Sequence, residues 1–321
     1  MAKGALGLLI TGGTDNWSPE RWRERFLALC PARKIVMLPD ASVAAADIHY
    51  VAVWKPKSGA VAALPNLKVI FNLGAGVDAV LADSSLPNVP LVRVSSANLT
   101  SRMTEYVVMH VLMLHRQQRY YDAAQRERIW NPKIQWTASG LRVGILGLGQ
   151  IALDSVEVLK RLGFQVAGWS RMRRSIAGVE CFFGDEGFAP FLARTDVLVC
   201  LLPLTPQTRG ILNRKTFSLL ARDGVFGAPA IINAGRGGLQ VEPDILAALD
   251  DGTLSAAVLD VFALEPLPLD SPFWSHPKVT ISPHNAADTD ADAISRDVVA
   301  QIEDFERGLP LSNVVDRERG Y

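Results

Sequence analysis

The sequence predicts an α/β protein built from two doubly wound parallel-sheet domains. Three observations carry that expectation. Short apolar runs alternate with helical patterns almost from end to end, 321 residues suffice for about two domains, and a strong strand near the middle opens a second alternating series. Such alternation is the mark of a parallel sheet covered by helices, since parallel neighbours need a crossover to connect them.

In chain order, residues 6–11, 34–38, 50–54, 68–72 and 91–94 read as strands, with glycine- or proline-punctuated helical stretches between several of them. A long helix is expected over residues 100–126, where Val107, Val108, Val111, Leu112 and Leu114 fall mostly on one broad face. Residues 131–140 read as a loop. The second series has strands at 142–146, 165–169, 197–201, 230–233, 256–260 and 278–281, and a last helix spans about 289–307 before a polar tail. That helix has no strand of its own to follow it. It is therefore assigned back to the first series, which gives one domain of 1–99 with 285–321 and another of 100–284.

Acidic and basic residues balance at 33 each, so no general electrostatic force draws the chain to nucleic acid or an anionic membrane. No apolar stretch approaches the ~20 residues that span a bilayer, and the N-terminal apolar run is too short for a secretory signal. Cys30, Cys181 and Cys200 are far apart, odd in number and without metal-ligand spacing. They read as thiols in a reducing, cytoplasmic compartment, and no metal is expected.

Residues Gly147-Leu148-Gly149-Gln150-Ile151-Ala152 form G-x-G-x-x-A between a strand and a helix that ends at Gly163. Gly147 permits the tight turn, Gly149 lets amides approach a pyrophosphate, and Ala152 lets the helix pack close to the strand. An ordinary glycine turn has no need of that whole context. An NAD site usually carries Asp or Glu at the end of the next strand, for the ribose 2′-hydroxyl. Here that place holds Ser170, Arg171, Met172, Arg173 and Arg174. A 2′-phosphate suits this group through charge-assisted bonds, so NADPH is expected over NADH.

Three more groups sit at expected strand ends: Arg236 in Asn233–Gly238, Glu265 after Leu259-Asp260-Val261-Phe262, and His284 after Ser282-Pro283. Ligands of open α/β sheets bind beyond the carboxyl ends of the strands. Arg236 can hold a carboxylate and polarise a neighbouring ketone, His284 can protonate the carbonyl oxygen, and Glu265 can orient the imidazole. Taken singly, each is more often a surface charge, a structural histidine or a loop residue. Their joint occurrence after a dinucleotide fingerprint favours the chemical reading. Gly74, Ala75 and Gly76 end a strand of the first series, as an anion nest or a flexible turn. Trp54 ends the neighbouring strand, as a pocket wall or as core.

These residues resemble the D-isomer-specific 2-hydroxyacid dehydrogenase family over nearly the whole chain, through NLGAGVD, GILGLGQIA, LLPLTPQTRGIL, NAGRGG, LDVFALEPLP and SPHNA. VWKP, GWSR and SPFWSHPKVTISPH are most similar to its glyoxylate/hydroxypyruvate reductase branch. The resemblance implies a Rossmann-type nucleotide domain and a flavodoxin-like substrate domain. It implies that Arg236, Glu265 and His284 are the catalytic set, that the amides of Gly74–Gly76 bind substrate and that Trp54 walls the pocket. Asp260 is implied to lie near the nicotinamide carboxamide. Ser170 and Arg171, with Arg173, match the NADP-selecting turn, and Gly147, Gly149, Gln150, Ile151, Leu202, Pro203 and Ala234 are implied cofactor neighbours. Homodimers joined through the nucleotide domains are implied as well. Two departures stand out: Ala152 replaces a commoner glycine, and residues 223–229 run a few residues long. The expected activity is NADPH-dependent reduction of glyoxylate or hydroxypyruvate. The alternatives are a dehydrogenase of a bulkier 2-keto acid or phosphoglycerate, and a dinucleotide-sensing corepressor.

Overall fold

The structure is a computed structural model that describes residues 4–12, 17–93, 97–287 and 290–320. It divides into two compact units, Met1–Asn98 with Thr289–Tyr321, and Leu99–Asp288.

The first unit contains β1 (Ala5–Ile10), α1 (Pro19–Leu29), β2 (Ile35–Met37), β3 (Ile48–Trp54), β4 (Val69–Asn72), the short α2 (Asp78–Leu81) and β5 (Leu91–Arg93). The C-terminal helix Ala291–Glu306, α9 in chain order, completes it. The strands form one parallel sheet in the order β2-β1-β3-β4-β5. This is the flavodoxin-like order. Side chains alternate across it: Tyr50 and Ala52 join one cluster, Val51 and Val53 the opposite one.

Helix α1 starts at Ser18, whose hydroxyl accepts from the Arg21 amide, with Pro19 at its first position. Trp22 and Phe26, one turn apart, are fully buried on the sheet. Helix α9 is capped by Asp290 and buries Ile294, Val298 and Ile302 in the same cluster. Arg25 pairs with Asp292 at 2.6 Å and Arg33 with Glu306 at 2.8 Å, which ties α9 to the first thirty-odd residues.

The second unit begins with α3 (Ala97–His115) and α4 (Gln118–Arg126), then β6 (Arg142–Leu146), α5 (Gln150–Arg161), β7 (Gln165–Ser170), β8 (Glu180–Phe183), α6 (Gly184–Ala193), β9 (Val197–Cys200), α7 (Arg214–Ser218), β10 (Ala230–Asn233), α8 (Glu242–Asp250), β11 (Ala256–Leu259) and β12 (Val279–Ile281). Its sheet runs β12-β11-β10-β9-β6-β7-β8, all parallel. That is the Rossmann order with a seventh strand. The chain leaves β6 toward β7 and β8, then returns to build β9 on the other flank. The switch point therefore falls between β6 and β9.

The helix expected over 100–126 is two helices. Gln117 adopts a left-handed conformation (φ 56), and its side-chain amide donates to the Ile134 carbonyl at 2.7 Å. A tertiary bond decides that break, and the helix-forming glutamines at 117 and 118 give no local sign of it. Strand β8 was not expected. It is a four-residue edge strand between the left-handed Gly178 and Gly184, too short for a periodic signal. The long segment at 223–229 has a local use: Arg142 binds both Asp196 and Asp223 at 2.7 Å. All three cysteines are free, and no helix among the described residues is long and apolar enough to cross a membrane.

Candidate active site

In the second unit the turn after β6 is built around glycine at a point where only glycine fits. Gly147 has φ +106, and a Cβ there would lie 3.2 Å from the Leu201 backbone. Gly149 is the N-cap of α5 and faces open space. The amides of Gly149, Gln150 and Ile151 make no hydrogen bond among the described residues. Ala152, in contrast, is buried against the sheet. An open helix N-terminus with unused amides at a switch point is the arrangement that holds a pyrophosphate. The residues present therefore fit a dinucleotide.

At the end of β7, the Ser170 hydroxyl donates to the Met172 carbonyl at 2.7 Å and shapes the following turn. Arg171, Arg173 and Arg174 are exposed there, with the Arg173 guanidinium 5.8 Å from the Phe183 ring centroid. Leu202 and Pro203 follow β9, and Ala234 follows β10. Leu202 and Ala234 are buried, and a Cβ on Gly235 would lie 2.9 Å from the Leu202 carbonyl. The loops after β9 and β10 thus lie against each other.

The loops after β10, β11 and β12 are knitted together at the carboxyl end of the sheet; Glu265 and His284 pair there, and the Arg236 guanidinium donates to the Gly235 carbonyl at 2.8 Å. The fully buried Asn233 donates to the Arg236 carbonyl (3.1 Å) and to the Gln240 side chain (2.8 Å). The Gln240 amide in turn donates to the Val261 carbonyl at 3.0 Å. Gly237, next to Arg236, rests so closely on Phe262 and Ala263 that a Cβ would overlap their backbone. The Phe262 amide donates to Glu265 at 3.0 Å, and the other Glu265 oxygen lies 2.7 Å from His284 Nδ1. A carboxylate accepts there, so Nδ1 carries a proton, and Nε2 is left without a partner among the described residues.

Asp260 is buried, and its carboxylate serves the His284 loop. It accepts from the Ser282 hydroxyl (2.7 Å) and from the amides of Asn285 (3.0 Å) and Ala286 (3.1 Å). Ser282 also meets the Tyr106 hydroxyl at 2.7 Å. Sequence reasoning missed Asn233, Gln240, Ser282 and Tyr106 as supports. The first three stand inside or beside quoted motifs, and Tyr106 lies on the apolar stripe of α3.

In the first unit, Asn72 is buried and its side-chain amide donates to the carbonyls of Gly74 (2.7 Å) and Gly76 (2.9 Å). The amides of Gly74, Ala75 and Gly76 make no hydrogen bond among the described residues. Trp54 is half-buried, packs on Trp17 at 4.8 Å and covers Gly74 so closely that a Cβ would overlap its ring.

The sheet order, the switch-point glycine turn and the open α5 N-terminus define a dinucleotide-binding α/β protein. Residues 108–286 match the family described as D-isomer specific 2-hydroxyacid dehydrogenase, NAD binding domain. Glyoxylate/hydroxypyruvate reductase A of Yersinia enterocolitica is 42% identical over 278 residues, 85% of this chain and 87% of its own. The protein of the same name from Serratia proteamaculans is 40% identical over 296 residues, 88% and 93% of the two chains. Among solved structures, the NADPH-dependent glyoxylate/hydroxypyruvate reductase of Sinorhizobium meliloti, in complex with NADP and sulfate, superposes with TM-score 0.91 at 46% identity, over 99% of this chain and 100% of that one. A probable 2-hydroxyacid dehydrogenase of Rhizobium etli, in complex with NADP, HEPES and L(+)-tartaric acid, gives 0.92 at 44% over 99% of both. The chain belongs to the D-isomer specific 2-hydroxyacid dehydrogenase family and is an enzyme of that class.

Proposed function

We propose that this protein reduces small 2-keto acids with NADPH, turning glyoxylate into glycolate and hydroxypyruvate into D-glycerate. The observation that carries the reading is the His284–Glu265 pair, set at the strand ends of a sheet whose switch point presents an open helix N-terminus. The amides at Gly149–Ile151 hold the pyrophosphate, with Gly147, Leu202, Pro203 and Ala234 as neighbours, while Ser170, Arg171 and Arg173 select the 2′-phosphate. When bound, the nicotinamide supplies the reducing hydride.

Each remaining part belongs to a residue of this chain. Arg236 holds the substrate carboxylate and polarises the ketone. His284 enters the reaction as imidazolium, with Nδ1–H on Glu265, and gives the Nε2 proton to the carbonyl oxygen. The ring is left neutral, still holding Nδ1–H. Glu265 fixes the ring plane and the tautomer. The unused amides of Gly74–Gly76 are assigned to an anionic group of the substrate, Trp54 to shaping that loop, and Asp260 to the cofactor's carboxamide side.

The proposal includes a cytoplasmic location, which three free thiols favour, and a homodimer joined through the nucleotide domain. Trp130 is 98% exposed and Ile134 72%, apolar surface that a second copy would cover. Steady-state oxidation of NADPH and NADH with a panel of 2-keto acids tests the function. Turnover of glyoxylate and hydroxypyruvate with NADPH is expected, and His284→Ala should lower kcat far more than it weakens NADPH binding. No turnover with any small 2-keto acid would sink the enzyme reading in favour of a sensor.

A further inference from the structure

His284 stands at φ +53, a left-handed conformation that disfavours any residue with a Cβ. Something must hold it there, and the structure shows what does. The His284 amide donates to the Asp260 carbonyl at 2.8 Å, and the next two amides in the chain donate to the Asp260 carboxylate. Asp260 is thus the anchor of the turn, gripping it by backbone and side chain together.

The anchor has its own support. An ionised carboxylate can only accept, so the Ser282 hydroxyl proton points to Asp260. Ser282 has one proton to give, so Tyr106 must be the donor in the 2.7 Å contact between their hydroxyls. The chain of donation therefore has one direction, from Tyr106 to Ser282 to Asp260. Burial, with the Asp260 charge adding to it, pushes the Tyr106 hydroxyl well above its ordinary pKa and keeps that donor protonated. Phenylalanine would serve equally as one more apolar residue on α3, and a buried hydroxyl is costly without a partner.

We propose that Tyr106 and Ser282 are positioning residues for proton transfer by His284: through Asp260 they lock residues 284–286 in the turn that sets the imidazole on Glu265. The inference rests on the proposed function. Its test uses Tyr106→Phe, Ser282→Ala and Ser282→Thr, with two readouts. The first is kcat and KM for glyoxylate with NADPH. The second is hydrogen exchange of the Asn285 and Ala286 amides in the protein without added cofactor.

Loss of one hydrogen bond in the chain should lower kcat about five- to tenfold, with KM for glyoxylate within about twofold, and speed exchange of those amides about fivefold. Ser282→Thr keeps the hydroxyl and should recover most of both losses. Unchanged exchange in Tyr106→Phe and Ser282→Ala overturns the lock, whatever the turnover. Faster exchange with undiminished kcat overturns its part in proton transfer. A wild-type protein that turns over no 2-keto acid would instead remove the proposed function, and exchange would still decide the lock.

Discussion

Gly237→Ala is the sharpest perturbation the structure offers. A Cβ at 237 would stand 2.6 Å from the Ala263 amide nitrogen and closer still to the Phe262 carbonyl. Both are backbone atoms between β11 and Glu265, so neither can swing aside as a long side chain would. Restoring ordinary contact requires the two loops to part by roughly 1 Å. That displacement acts on both sides of the candidate site: Arg236 is the preceding residue, and the Phe262 amide is the donor that holds Glu265. Misplacing reacting groups by about 1 Å costs on the order of 100-fold in rate. We therefore expect kcat/KM for glyoxylate to fall about 100-fold, with NADPH affinity, followed by nucleotide fluorescence, changed less than tenfold. Gly252→Ala is the control. Gly252 has φ +79 on an exposed turn with open space around it, so alanine there should cost about 1 kcal/mol of stability and leave kcat alone. A Gly237→Ala protein within about threefold of wild-type kcat/KM would refute the claim that this loop contact positions the site.

Three further outcomes are expected. Arg171→Ala should weaken NADPH much more than NADH in a titration with each cofactor, and an unchanged ratio would remove the basis for NADPH preference. Arg33→Met should destabilise the protein by roughly 1–3 kcal/mol in urea melts, because it removes the buried guanidinium that bonds both the Gly4 carbonyl and Glu306. Arg33→Met combined with Glu306→Gln should recover part of that loss, and a neutral single variant would show the pair to be ornamental. Burial holds the imidazoles of His110 and His115 below their ordinary pKa, with the Asp260 charge opposing this at His110 and the Arg116 charge adding to it at His115. The unfolded chain takes up those protons near pH 6.5 and the folded one resists them, so this stability is full above about pH 6.5 and drains as pH falls through the folded values. Replacing both with glutamine should flatten the fall of urea stability between about pH 7 and 5, and an identical slope would contradict the assignment.

What short-range pattern encodes was legible in the chain. Every strand but β8, the glycine turn after β6 and the charged groups at the ends of β10, β11 and β12 announce themselves within a window of a few residues. The break at Gln117 and the edge strand β8 do not. One depends on the Ile134 carbonyl seventeen residues away, and the other is a four-residue run whose pairing with β7 supplies its order. The same distinction runs through the candidate site. Arg236, Glu265 and His284 were nameable because each has a chemistry of its own. The roles of Asn233, Ser282 and Tyr106 were not, because each works through a partner that only the fold brings near. Tyr106 and Ser282 lie 176 positions apart in sequence, yet their hydroxyls meet at 2.7 Å. Asp260 shows both sides of this. Its place after β11 marked it for the cofactor, while every hydrogen-bond partner of its carboxylate among the described residues lies 22 to 26 positions onward, in the loop after β12. Parallel pairing of β11 with β12 is what turns that interval into contact, so the sheet order, more than any motif, sets where the imidazole stands.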